Sequence, residues 1–157
     1  MKNKAFTLIE LLVVILIIGI LAAIAYPKYL IATEKSRYMQ LIMQMRAIKE
    51  AQEIYYLANG EYTIKLWDLD IQLPYRDIYA VYHVQPSLDS IFVYDRIRGS
   101  KMDVPRIYVW YDQATSVPSP MKAGKAYCYG YGEAIKVCAS VGKLAGKFGG
   151  VNIYEVF

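Results

Sequence analysis

The sequence predicts an α+β protein in which one long N-terminal α-helix packs on an antiparallel β-sheet. Residues 11–26 form a run of 16 residues without a charge, and apolar residues then recur at helical spacing as far as Leu57. After Gly60 the sequence pattern changes to short runs of β-branched and aromatic residues, which are separated by residues typical of turns. A sheet folded against the amphipathic half of such a helix gives the predicted fold class.

Length and composition limit the organisation of the chain. Its 157 residues allow one modest domain and one further element. Hydrophobic residues make up 56% of the chain, above the usual share for a soluble domain, and most of the excess lies in the first 26 residues. The net charge of +4 comes with no block of lysine or arginine after residue 28, so charge alone does not indicate nucleic-acid binding.

Two ordinary interpretations of the N-terminal segment leave one residue unexplained. Lys2 and Lys4 precede an apolar run that ends at 23–25 in an A-x-A sequence, as in a secretory signal. Residues 6–26 are also long enough to span about 30 Å of bilayer as an anchor. Neither a signal nor an anchor needs Glu10, whose carboxylate costs roughly 2.5–3.5 kcal/mol at the centre of a span and less near its end.

A third interpretation gives Glu10 a role. Cleavage between Ala5 and Phe6 would create an α-amino group on Phe6, four residues before Glu10. Positions i and i+4 share one face of a helix, so the ammonium and the carboxylate can neutralise one another within a chain or between neighbouring chains. In a bundle of apolar helices an unpaired charge is expensive, which would make this pairing a register device for assembly.

The stretch "KAFTLIELLVVILIIGILAAIAYPKY" (4–29) closely resembles the N-terminus of type IV pilins and related pseudopilins. The resemblance implies a prepilin peptidase that cuts before Phe6 and N-methylates it, and it assigns Glu10 to subunit registration in a fibre. Gly19, Pro27 and Tyr29 stand where such proteins carry a glycine, a helix-bending proline and a tyrosine. One departure is Ala5, because the family mostly has glycine before the cut.

This resemblance and the apolar pattern together predict four segments. They are a leader at 1–5, a transmembrane or fibre-core helix at 6–27, an amphipathic helix at 28–59 and a β-sheet domain at 60–157. The amphipathic face consists of Ile31, Tyr38, Leu41, Ile42, Met45, Ile48, Ala51 and Tyr55. Asn59-Gly60 is a helix stop signal, and Pro27 predicts a bend, or a melted stretch from Gly19 to Pro27 on entry into the fibre.

Turn signals divide the C-terminal part into short elements. A loop is predicted at 61–78. Strands are predicted after it at 79–84, 91–95, 107–111, 126–131 and 151–157, together with a short helix at 133–140 that ends before Gly142. The first three strands suggest an antiparallel meander. This is also the pilin architecture that the N-terminal resemblance implies.

Cys128 and Cys138 enclose nine residues. If the chain is exported, an oxidising compartment favours a disulfide over two free thiols, and the resemblance agrees because many type IV pilins close a C-terminal loop in this way. Two cysteines and the distant His83 do not make a four-ligand zinc site, so no metal and no cofactor are expected.

The sequence offers no set of residues that would carry catalysis, and no enzyme activity is predicted. His83 is the only histidine, which leaves no nucleophile–histidine–acid set. Gly130 and Gly132 make only part of a phosphate-binding loop, and Asp68 and Asp70 are expected in a solvated turn.

Two features of the sequence, its many tyrosines and a cluster of basic residues, are compatible with a binding role. The 16 tyrosines are expected to fill the sheet or an interface, with stacking on bases or sugars as the alternative. Arg96, Arg98, Lys101 and Arg106 surround one predicted hairpin turn and would form either a patch that contacts DNA or a solvated loop.

The leading hypothesis is therefore a type IV pilin, a structural subunit that forms homo-oligomeric helical filaments. It would sit in the inner membrane as a single-pass protein, be matured by prepilin peptidase, and be moved by the pilus assembly platform into an extracellular pilus. A pseudopilin of a type II secretion system shares the N-terminal features, whereas the cysteine pair and the strand-rich end favour the pilin. A secreted binding domain with an ordinary signal peptide is the remaining alternative.

Overall fold

The computed structural model describes residues 7–72, 80–85, 89–95, 105–132 and 134–157. The chain divides into two compact units, Met1–Glu34 and Lys35–Phe157. The helices are α1 (Leu8–Asn59) and α2 (Ala134–Val141), with a short 3-10 helix at Leu66–Asp68. The strands are β1 (Ala80–Gln85), β2 (Ser90–Asp95), β3 (Arg106–Trp110), β4 (Ala126–Tyr129), β5 (Lys143–Phe148) and β6 (Val151–Glu155).

Both ends of α1 follow from local sequence. Thr7 and Glu10 form a capping box at its start, in which a threonine and a glutamate three residues later satisfy free backbone N–H groups. At the other end Gly60 adopts φ +78 and donates its N–H to the Tyr56 carbonyl at 2.8 Å, as a left-handed helix cap does. The predicted stop at Asn59-Gly60 is therefore where the helix ends.

Six antiparallel strands form one sheet in the order β1-β2-β3-β4-β6-β5. The first three make the predicted meander, β4 extends it on the β3 side, and the predicted α+β fold class is confirmed. Strand β5, which pairs with β6 at the sheet edge, was not predicted from the sequence. The strand predicted at 126–131 is two residues too long, since β4 ends at Tyr129.

The main core of Lys35–Phe157 lies between α1 and one face of the sheet. From α1 it takes Tyr38, Leu41, Ile42, Met45 and Ile48, and from β2 and β3 it takes Ile91, Val93, Ile107 and Val109. Full burial of each such side chain contributes about 1.5–3 kcal/mol. Two residues differ from the predicted amphipathic pattern of α1. Ile31, which was predicted on the buried face, is 43% exposed, and the polar Gln52, which was not, is fully buried.

A second, smaller core covers the opposite face of the sheet. Trp110, Tyr127 and Ile153 are buried there, and Val117 and Met121 from the segment after β3 pack against them. The two faces alternate along each strand, because successive side chains of a strand point in opposite directions. The loop between β3 and β4 is thus part of the packed structure.

The structure contains the disulfide between Cys128 and Cys138, which joins β4 to α2 with a Cα–Cα distance of 5.3 Å. Both cysteines are fully buried. The bond fixes the short helix against the sheet at the point where the chain turns back toward β5 and β6.

Candidate functional site: the exposed apolar helix

The first part of α1 presents apolar side chains in every direction. Its large aliphatic residues from Leu8 to Ile24 are all exposed, with values from 81% at Leu8 to 45% at Val13. Glu10 is the only charged residue between positions 7 and 27. An apolar surface of this extent cannot remain in water, so lipid or the helices of other chains must cover it.

Glu10 is held at the start of this surface by Thr7. Its Oε2 atom accepts hydrogen bonds from the Thr7 backbone N–H at 2.9 Å and from the Thr7 hydroxyl at 2.7 Å, and the Glu10 N–H donates to Thr7 Oγ1 at 3.3 Å. This contact was not predicted, although the T-x-x-E pattern in "TLIE" is its sequence signal. Glu10 thus stabilises the helix start in addition to any role between subunits.

Gly19 opens a shallow groove on the same helix. A Cβ atom built at Gly19 would meet no atom within 4 Å. The groove is lined by Leu12, Ile15, Leu16, Gly19, Ile20 and Ala23. Gly19 and Ala23 lie one turn apart, and small residues at this spacing allow the backbones of two apolar helices to approach closely.

Pro27 and Tyr29 lie within α1. The chain is helical on both sides of Pro27, although proline has no N–H to donate to the carbonyl of Ala23. Tyr29 is 66% exposed. The bend at Pro27, and the melting from Gly19 to Pro27 in a fibre, stay predictions.

Several predicted residues lie outside the described part of the chain. These are the cleavage site Ala5–Phe6 and three of the four basic residues, Arg96, Arg98 and Lys101; only Arg106, on β3, is described. Asp68 and Asp70 do lie in an exposed turn, where Asp68 accepts a hydrogen bond from the Thr63 hydroxyl at 3.0 Å. Among the described residues, no three His, Cys, Asp or Glu side chains come together as a metal site.

Together these features define a class of protein. Among the described residues, α1 is long and apolar enough to cross a membrane and bears a single acid near its start, and its second half packs on a sheet domain that contains a disulfide. Such a chain fits a subunit that is anchored in a membrane or assembled with other subunits through its apolar helix.

Comparison with known proteins agrees. The family described as "Prokaryotic N-terminal methylation motif" matches residues 1–26. The type IV major pilin protein PilE1 of Neisseria gonorrhoeae is 38% identical over 111 residues, which cover 65% of this chain and 67% of that protein. A fimbrial protein of Pseudomonas aeruginosa is 44% identical over 59 residues, or 38% of each chain.

A third relative, the type IV major pilin protein PilA of Myxococcus xanthus, is 37% identical over 62 residues, which cover 40% of this chain and 28% of that protein. No solved structure matches. The chain belongs to the type IV pilin family, and it is accordingly a structural subunit of a pilus and not an enzyme.

Proposed function

We propose that the chain is a prepilin that is cut between Ala5 and Phe6 by a prepilin peptidase and then polymerises through its apolar helix. The observation that supports this most directly is the exposure of every large aliphatic side chain from Leu8 to Ile24. A folded soluble protein buries such residues, so this surface is built for two other environments, lipid and a bundle of sister helices.

The two environments imply a sequence of locations. Before assembly the helix at 6–27 anchors the subunit in the inner membrane, with Lys28 as the first charge beyond the span. An assembly platform in that membrane then moves the subunit into an extracellular filament. There the same apolar surface packs against identical helices, and the groove at Gly19 gives a place where one of them can approach closely.

Glu10 sets the axial register of the subunits in this proposal. After cleavage the new amino group of Phe6 carries a positive charge, and in an apolar helix bundle each charge needs a partner. The Glu10 carboxylate of a neighbouring subunit supplies one. Within its own chain Glu10 binds Thr7 through Oε2, so a carboxylate with two oxygen atoms can keep this contact and accept a second one.

The first test is the intact mass and N-terminal sequence of the protein in filaments sheared from cells. A chain that begins with N-methylated Phe6 supports the proposed processing and the extracellular filament. A chain that begins at Tyr26 would contradict both. Mature protein found in membranes and never in the sheared fraction would instead indicate a pseudopilin.

The role of Glu10 is tested by a pair of variants in the same cells. Glu10→Gln keeps an oxygen that can accept from Thr7 but removes the charge, so we expect membrane insertion with strongly reduced filaments. Thr7→Val keeps the charge but removes the hydroxyl that binds it, so filaments should still form. Equal filament yields from both variants would contradict the registration role.

A further inference from the structure

The second half of α1 has an exposed face on the side that does not pack on the sheet. One side of this half lies in the main core of Lys35–Phe157, whereas four large apolar side chains on the other side are exposed, from 40% at Met39 to 86% at Leu57. Residues at spacings of three, four or eleven lie on the same side of a helix. The exposed face of α1 therefore consists of Met39, Met43, Arg46, Ala47, Glu50, Ile54 and Leu57.

A second copy of this chain is the occupant that fits the exposed face of α1. Single exposed apolar residues are common on proteins, but apolar residues that line up on one face are typical of an interface. The helix is continuous from Leu8 to Asn59, and its first part packs against sister helices in the proposed filament. The exposed face thus continues an interface between copies along the same helix.

Two opposite charges, Arg46 and Glu50, interrupt the exposed face four residues apart. This spacing allows an ion pair within one helix, but the structure does not form it. Arg46 Cζ lies 4.8 Å from the centroid of the Phe157 ring, and Glu50 has no hydrogen-bond or ion-pair partner among the described residues. A guanidinium over a ring keeps N–H donors in its plane, so both groups can bind a partner from another chain.

A second pair with the same spacing, Lys49 and Glu53, is satisfied within the chain. Lys49 Nζ lies 2.8 Å from Asp112 Oδ1 and 3.9 Å from Glu53 Oε1. Glu53 Oε2 also accepts a hydrogen bond from the Tyr62 hydroxyl at 2.9 Å. These contacts bind α1 to its own sheet domain, so Arg46 and Glu50 are the pair that remains for a neighbouring subunit.

The order and spacing of Arg46 and Glu50 repeat those of the Phe6 amino group and Glu10. In both cases a cation precedes a carboxylate by four residues. In the proposed filament Glu10 of one subunit lies at the level of Phe6 of the next, which is a shift of about 6 Å along parallel helices. Because one helical operation relates each subunit to the next, the same shift brings Glu50 of the first to the level of Arg46 of the second.

We propose that Glu50 pairs with Arg46 of the neighbouring subunit and that this ion pair is a second register contact of the filament. The inference rests on the proposed function, because it uses the same axial shift. Apolar side chains around the pair exclude water, which strengthens the attraction and makes a contact between like charges costly. Each subunit uses Glu50 toward one neighbour and Arg46 toward the other, so the contact repeats without closing, as a helical filament requires.

Two charge variants, expressed alone and together, test this contact in cells. Arg46→Glu gives a chain with two acids on the exposed face, and Glu50→Arg gives a chain with two bases. Either variant alone places like charges together at every contact, so the yield of sheared filaments should fall at least about tenfold. When both are expressed, the two kinds of subunit can alternate and restore opposite charges, so the yield should recover, with both variants in the same filaments.

The mixture separates a contact between subunits from a contact within one subunit. An Arg46–Glu50 pair within one chain would be broken in both variants, and mixing them could not repair it. Glu50→Arg keeps Arg46 on Phe157, so loss of that contact cannot explain its loss of filaments. The control is Lys147→Glu, which reverses an exposed charge on β5 and should leave the yield unchanged.

Three results would overturn the inference while wild-type filaments form. They are a normal yield from either variant alone, no recovery in the mixture, and an equal loss with Lys147→Glu. Absence of wild-type filaments, or of a chain that begins at Phe6, would instead contradict the proposed function and this inference with it.

Discussion

Gln52 on α1 and Thr63 in the loop beyond it exchange two hydrogen bonds. Gln52 Nε2 donates to the Thr63 carbonyl at 2.7 Å, and the Thr63 N–H donates to Gln52 Oε1 at 3.1 Å. Gln52 is fully buried and Thr63 is 7% exposed. The Gln52 amide therefore pairs with the backbone N–H and C=O of Thr63 as a neighbouring β-strand would, and this pairing holds the loop against α1.

Replacing Gln52 by alanine should destabilise the sheet domain by about 2–4 kcal/mol, because it leaves a buried N–H and a buried carbonyl unpaired. The measurement is thermal unfolding of the full chain in detergent, followed by near-ultraviolet circular dichroism. Gln40→Ala is the control, since Gln40 is exposed on the same helix. A melting temperature for Gln52→Ala equal to that of the control would contradict this account.

Two tyrosines whose rings are in contact should respond differently to loss of their hydroxyl groups. Tyr62 and Tyr111 have ring centroids 4.4 Å apart. The Tyr62 hydroxyl donates to Glu53 Oε2 at 2.9 Å and accepts from the Gln113 N–H at 3.1 Å. The Tyr111 hydroxyl is buried and makes no well-formed hydrogen bond to a described residue, although it lies beside the Gln52 amide, both ends of which are bonded to Thr63.

Tyr62→Phe should thus lower the free energy of unfolding by about 1–3 kcal/mol, because it breaks a part-buried hydrogen bond to the Glu53 carboxylate; the exposed Gln113 N–H that it also releases can pair with water. Tyr111→Phe removes an unpaired buried hydroxyl and should be neutral or stabilising by up to about 1 kcal/mol. Urea unfolding of both variants checks the order. A larger loss for Tyr111→Phe than for Tyr62→Phe would mean that the Tyr111 hydroxyl has a partner.

Burial of tyrosine side chains predicts that the sheet domain loses stability at alkaline pH. Burial raises the pKa values of Tyr62, Tyr108 and Tyr111 above the ordinary tyrosine value. Because the unfolded chain then loses these protons first, the stabilisation is complete below about pH 10 and is lost as pH rises above that value. For the deeply buried Tyr111 the slope is up to about 1.4 kcal/mol per pH unit, and for the more exposed Tyr62 and Tyr108 it is smaller because solvent screens them.

The measurement is a titration in which tyrosinate absorbance and circular dichroism are recorded together. Exposed tyrosines should ionise first, and the buried group should ionise in one cooperative step with loss of the folded signal. Smooth ionisation of all tyrosines while the fold persists would contradict the prediction.

Much of this structure is encoded in short-range signals. The apolar run, the i, i+3, i+4 pattern from Tyr38 to Ile48 and the Asn59-Gly60 stop predicted α1 with its correct end. The β-branched and aromatic runs predicted β2 and β3 to within one or two residues of their observed bounds. Such signals depend only on neighbours in sequence, so one chain is enough to read them.

The missed features depend on distant contacts or on weak patterns. The strand β5 reads "KLAGKF", has no fully buried side chain and bears a register shift at Gly146, so it has no apolar alternation. Its one signal is Gly149-Gly150, which adopts φ +56 and +82 in a tight hairpin turn. Burial of Gln52 could not be predicted, because it depends on Thr63, a partner that folding brings near.

The disulfide should contribute about 3 kcal/mol to the sheet domain on the chain-entropy estimate for a loop of this length. Replacing Cys128 and Cys138 together by alanine avoids burying new polar groups at two sites that are fully buried. The melting temperature should fall by roughly 10 °C and become insensitive to reducing agent. Wild-type protein melted with reductant is the control, and it should approach the variant.

Gly146 should be the least replaceable glycine of the β5–β6 hairpin. It adopts φ +151, and a Cβ atom there would lie 2.7 Å from Pro120 Cγ in the loop that covers the outer face of the sheet. Gly146→Ala therefore combines a disfavoured backbone conformation with a clash and should cost about 1–3 kcal/mol.

Gly149→Asn is the matched control, because Gly149 has φ +56, a Cβ atom there would meet nothing within 4 Å, and asparagine tolerates this conformation. Its free energy of unfolding should stay within about 0.5 kcal/mol of the wild-type value. Urea unfolding of both variants measures the difference. Equal effects of the two substitutions would show that backbone freedom in the turn, rather than contact with Pro120, is what this hairpin requires.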